Sequence, residues 1–173
     1  MKTPIVIIMV TILGTLLLAT PALAYTPLNS YEKRLLALVN KQRAKHSLPQ
    51  LRTHSRLLSA ARAHSAEMGE KKYFSHSSAS GQSWSSRIIS HGYKRTGYRY
   101  WKAGENIYYG CGLYSAPAAV IKAWMASKPH RAIILTRAFR NVGIGAVKTT
   151  SGYKSYDGTV WFFTLDAGRR IAR

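Results

Sequence analysis

Cysteine is nearly missing from this chain: Cys111 is the only one in 173 residues. No internal disulfide can form, so the fold must be held by its core alone, and Cys111 itself reads as a small half-buried apolar residue. Acidic residues are also scarce, six Asp and Glu against 26 Lys and Arg, for a formal net charge of +20. Such a surface attracts polyanions and adheres to them without a dedicated site. Long hydrophobic runs are absent after the first two dozen residues, which excludes a membrane span in the rest of the chain. Repeats, low-complexity tracts and linkers are lacking too, so one domain is expected.

The one apolar run, Ile5 to Leu18, follows Lys2 and precedes Pro21-Ala22-Leu23-Ala24. A positive start, a run short of the ~20 residues that span a bilayer, and a small-x-small ending describe a signal peptide over 1–24. The mature chain, 25–173, is then a single exported domain with its core at about 31–166. For an exported cationic protein the available partners are anionic cell-wall or extracellular polymers or lipids. Basic residues are spread along the chain, without the clustered stripe or motif of a nucleic-acid reader.

Apolar spacing predicts helices over 31–46, 55–71, 84–91, 115–127 and 129–135. Ser30 and Ser115 are candidate N-caps, and Pro117 falls in a first turn, where proline is tolerated. The first helix places Leu35, Leu38 and Val39 on one side and Arg43 elsewhere. His64 shares an apolar face with Leu57, Ala61 and Met68, as a packed core histidine does. Strand alternation is seen in Tyr98-Arg99-Tyr100-Trp101-Lys102, in 141–148 and in 159–166, with Gly152 and Asp157-Gly158 as turn signals between the last two. Helices first and an antiparallel hairpin last predict an α+β fold.

Candidate site residues lie in three segments: Phe74-Ser75-His76, Gly104-Glu105-Asn106-Ile107 and Trp124-Met125-Ala126-Ser127-Lys128-Pro129-His130-Arg131. In a chain so poor in acids, a glutamate between glycine and asparagine is not ordinary surface charge. His76, Glu105 and His130 brought together could hold Zn²⁺ or another divalent cation, move a proton, or hydrogen-bond one another. Ser127 stands one turn before His130. It reads first as a helix end satisfying backbone groups, and second as a Ser–His pair.

Taken in register, these pieces resemble the CAP superfamily of SCP-like extracellular proteins, in its bacterial branch. The matching segments begin with Leu38-Val39-Asn40-x-x-Arg43, Leu48-Pro49-x-Leu51 and Ala63-His64-Ser65-x-x-Met68. They continue with Phe74-Ser75-His76, Arg87, Gly92, Gly104-Glu105-Asn106-Ile107 and Trp124-Met125-x-Ser127-x-x-His130-Arg131, and end with Val142-Gly143-Ile144-Gly145. The resemblance implies an α-β-α sandwich with a cleft carrying two histidines and two acids. His76, Glu105 and His130 match three of these, and Ser127 stands in place of the second acid. It implies a secreted binding protein, since no complete catalytic set is visible. The alternative is a metal-dependent hydrolase of peptide, glycan or nucleic acid.

Overall fold

The computed structural model describes residues 27–173; the segment read as a signal peptide lies outside these. The first helix, α1 (Ser30–Lys45), is capped by Asn29 and not by Ser30. The Asn29 side chain accepts from the Glu32 N–H (2.9 Å), and Glu32 accepts from the Asn29 N–H (2.8 Å). This reciprocal box needs an acceptor three residues on; after Ser30 that place holds Lys33, which cannot accept. Arg43, expected away from the apolar side, is fully buried. Its guanidinium donates to the carbonyls of Pro49, Ile134, Thr136 and Phe139 (2.7–3.3 Å), tying α1 to the turn that follows it and to the distant segment between α5 and β3.

Four strands form one sheet: β1 (Arg52–Thr53), β2 (Tyr98–Cys111), β3 (Asn141–Thr149) and β4 (Val160–Ala172), in the order β1-β3-β4-β2. β1 runs parallel to β3, and the other pairs are antiparallel. On one face lie α1, α4 (Pro117–Ala126) and α5 (Lys128–Ile134), with Trp124, Phe139 and Phe163 in their core. On the other lie α2 (Ser55–Glu70) and α3 (Trp84–Ser90), packed through Leu57, Ala60, Met68 and Ile88. The molecule is the expected α-β-α sandwich. No helix among the described residues is long and apolar enough to cross a membrane.

Two differences from the spacing-based expectation concern the site. β2 continues past Lys102 through Gly104-Glu105-Asn106-Ile107, all four buried, so period-two alternation is lost where both faces are covered. Ser115 does not cap α4. It belongs to a 3₁₀ turn, Gly112–Ser115, where its hydroxyl donates to the Gly112 carbonyl (2.7 Å), and Ala116 takes the cap position without a side-chain bond. Gly143 and Gly145 on β3 meet the α2 backbone at Leu57 and Ala61; a Cβ at either would overlap it. These two glycines let α2 lie directly on the sheet.

Candidate functional site

β2 is an edge strand, and the site is built across its free edge. Alternation sends Glu105 toward the α2–α3 layer and Asn106 toward the α4–α5 layer. Asn106 donates to the His130 carbonyl (2.9 Å), which fixes α5 against the strand. His76 arrives from the loop between α2 and α3, and His130 from α5. Both line one cleft of about 430 Å³ with Glu105, Trp84 and Ile133. The two histidines thus come from opposite layers and meet over the strand edge.

Glu105 is buried and fully engaged. One oxygen bonds His76 Nδ1 (2.8 Å), and the other is paired with the Arg87 guanidinium from α3. Arg87 also donates to the His76 carbonyl (3.2 Å) and the Ser78 hydroxyl (3.0 Å), so a single guanidinium shapes the loop and holds its acid. Ser127 ends α4 and opens α5 without capping either by its side chain. Ser127 thus holds the helix-end position expected first, while its hydroxyl, instead of satisfying backbone groups, meets His130 Nδ1 at 2.8 Å as the Ser–His pair expected second. Burial, then the nearby His76, hold His130 below the ordinary histidine range. His64 is buried as expected and bonds the Ser75 carbonyl (2.9 Å), steadying the His76 loop.

Asp166 was not singled out from the sequence. It faces Glu105 across the β2–β4 ladder, is fully buried, and neither of its oxygens has a hydrogen-bond partner. Burial first, then the charge of Glu105, push its carboxyl well above the usual carboxylate range. A protonated Asp166 can donate to Glu105, which two acceptor-only carboxylates could not do. Arg87 matched the family pattern but had no assigned role. The available signals were a lone arginine one residue before Ile88 and, for Asp166, an acid closing an apolar strand run in an acid-poor chain.

Among the described residues, no three of His, Cys, Asp or Glu form a group placed to hold a metal ion. Glu105 has both oxygens occupied by His76 and Arg87, and the His130 ring bonds Ser127 instead of either, so as arranged His76, Glu105 and His130 do not fit a three-ligand metal site. Nor does the Ser127–His130 pair extend to an acid, because Glu105 is bonded to His76 and Arg87. Beside the cleft, and sharing His76 and His130 with it, lies a cavity of about 600 Å³ walled by Phe74, Ile107, Tyr108 and Tyr109.

The model of the cysteine-rich secretory protein family (CAP) matches residues 36–166. The chain is 36% identical over 132 residues to the uncharacterized protein YkwD of Bacillus subtilis (strain 168), covering 76% of this chain and 48% of that protein. The chain therefore spans about half the length of that relative. In structure it resembles an outer surface protein of Borrelia burgdorferi, with TM-score 0.65 and 20% identity over 80% of this chain and 91% of the other. It also resembles an extracellular SCP-domain protein of Bacillus anthracis strain Ames, with TM-score 0.59 and 24% identity over 86% of this chain and 45% of the other.

Proposed function

The chain belongs to the cysteine-rich secretory protein (CAP) family, and on that premise we propose that it acts as an exported, non-enzymatic binding protein. Its cleft takes a polar ligand at His76, Glu105, Ser127 and His130, and its cationic surface holds it to anionic envelope or extracellular polymers. The observation that carries this reading is the cleft over the β2 edge, where two imidazoles from opposite layers adjoin an aromatic-walled cavity. Such a cavity suits a ligand with one apolar face and one polar end. Export follows from the signal-peptide pattern, and relatives described as extracellular or outer-surface proteins support it.

The arrangement favours binding over hydrolysis. Glu105 is committed to Arg87 and cannot act as a free base, and His130 lacks the orienting acid that a Ser–His nucleophile needs. Zn²⁺ or another divalent cation is one candidate occupant. His76 and His130 offer it two imidazoles, while Glu105 would have to exchange Arg87 for the metal.

Two measurements on the mature protein test the reading. Retention on an anionic polymer should fall steeply with salt, as screening requires; salt-independent retention overturns the surface part. Calorimetric titration with Zn²⁺ should show binding that disappears in the His76→Ala, His130→Ala double variant. Equal heats from both proteins remove the metal from the cleft.

A further inference from the structure

We infer that the chain carries a phosphate-binding pocket, formed by Arg56, Lys94 and Arg170, that shares no lining residue with the cleft. It rests on the reading above for the source of its ligand, and on its own geometry for its existence. The pocket lies beside the first residues of β2 and the last of β4, has a volume of about 290 Å³, and is also lined by Thr96 and Tyr98. Three cations and a threonine hydroxyl face one space.

Arg170 is held in place, and none of the three cations has an ion-pair partner among the described residues. Arg170 lies between the rings of Tyr93 and Tyr98, its guanidinium carbon 4.3 and 4.4 Å from their centroids, and donates to His54 Nε2 (3.1 Å). This stacking fixes the fork before any ligand arrives. Arg56 reaches in over Gly92, whose φ is +90°; a Cβ there would overlap its guanidinium. The glycine therefore serves both the turn after α3 and the room for Arg56.

The chain has only six acids to set against these groups. Glu32 is taken by Arg62, Glu67 by Lys71, and Glu105 by Arg87 and His76; Asp166 is buried beside Glu105, and Glu70 and Asp157 form no ion pair with any of the three cations. No ion pair among the described residues involves Arg56, Lys94 or Arg170. An incoming anion supplies what the fold withholds. Two guanidinium forks and an ammonium suit the several oxygens of a phosphoryl group better than a single carboxylate. The pocket leaves space for the group esterified to it.

Isothermal titration with inorganic phosphate, and separately with a glycerol–phosphate oligomer, tests the pocket on the mature protein. The Arg56→Gln, Arg170→Gln variant should bind phosphate about tenfold or more weakly. The control variant Arg34→Gln, Lys45→Gln, which loses the same charge from the exposed side of α1, should bind as the parent does. Arg56→Gln alone, at an exposed position, guards against loss of folding and should still weaken phosphate. Equal weakening in test and control variants, or no phosphate binding by the parent, overturns the pocket. Phosphate binding that is the same in every variant overturns it, and salt-sensitive oligomer binding that then persists in every variant leaves the proposed function intact. Phosphate binding that follows the variants without any oligomer binding keeps the pocket and removes the polymer as its source.

Discussion

Glu105 on β2 and Asp166 on β4 stand directly opposite one another in the sheet, both buried, with the Arg87 guanidinium paired to Glu105. Two ionised carboxylates so placed would repel at short range in a medium that screens poorly. One guanidinium balances one of them, and burial together with the charge of Glu105 pushes the Asp166 carboxyl well above the usual carboxylate range.

A pH dependence follows. An unfolded aspartate ionises near about 3.9, while folded Asp166 does so well above that. Between the two values the folded state binds more protons, so stability falls as pH rises. The contribution is complete below the unfolded value and is lost as pH climbs through the folded one. Asp166→Asn cannot ionise, so its advantage over the parent in urea unfolding should grow with pH. Superimposable pH profiles for the two proteins would show that Asp166 ionises normally.

Arg87→Met removes the cation that pairs with buried Glu105. A loss of about 3–5 kcal/mol at neutral pH is expected from urea unfolding, because it leaves a buried charge unpaired. Adding Glu105→Gln to the same chain should recover part of it. A single-variant loss under about 1 kcal/mol would contradict the pairing as a structural necessity.

Burial and the neighbouring His76 hold the His130 imidazole below the ordinary value of about 6.5. Its neutral form is the one the folded state favours, so this contribution is present above the unfolded value and lost as pH falls through the folded one. Following the ring proton by NMR, His76→Gln should move the His130 midpoint upward. An unmoved midpoint would mean that the two rings do not sense each other.

Arg43→Ala removes a donor from four carbonyls, of which Thr136 and Phe139 keep a second one, from the Phe139 N–H and Arg140 respectively, and opens a gap in the core. A loss of about 3 kcal/mol in urea unfolding is expected. Arg43→Lys should recover little, since one ammonium cannot span carbonyls that a planar fork reaches together. Full recovery by lysine would show that charge alone matters there.

Much of this structure was legible in the residues. Helical spacing located the five α-helices of the described residues to within a few residues, and Asp157-Gly158 marked the connection between β3 and β4. His64 read correctly as core. Apart from the caps misassigned to Ser30 and Ser115, what the sequence hid involves polar groups whose partners are far away in sequence or set by a change of chain direction. Arg43 resembled a solvated charge because its carbonyl partners lie up to 96 residues along the chain. Asp166 gave no local sign of facing Glu105, and the Ser127–His130 bond, ranked second to the helix-end position that Ser127 does hold, depends on how α4 turns into α5.

The sandwich arrangement came from the family resemblance; composition and periodicity by themselves pointed to an α+β class, to a chain whose single cysteine allows no internal disulfide, to a large excess of positive charge, and to three segments worth watching. These are properties of spacing and of side-chain type, which a chain carries before it folds. Tertiary structure decided what the segments do. Only the sheet order leaves β2 at an edge, so that His76 and His130 can approach from opposite layers. Only strand register sets Asp166 against Glu105, and only the placement of α3 directs Arg87 between acid and loop. Which charge meets which is a matter of distance in space, and that distance is established by packing.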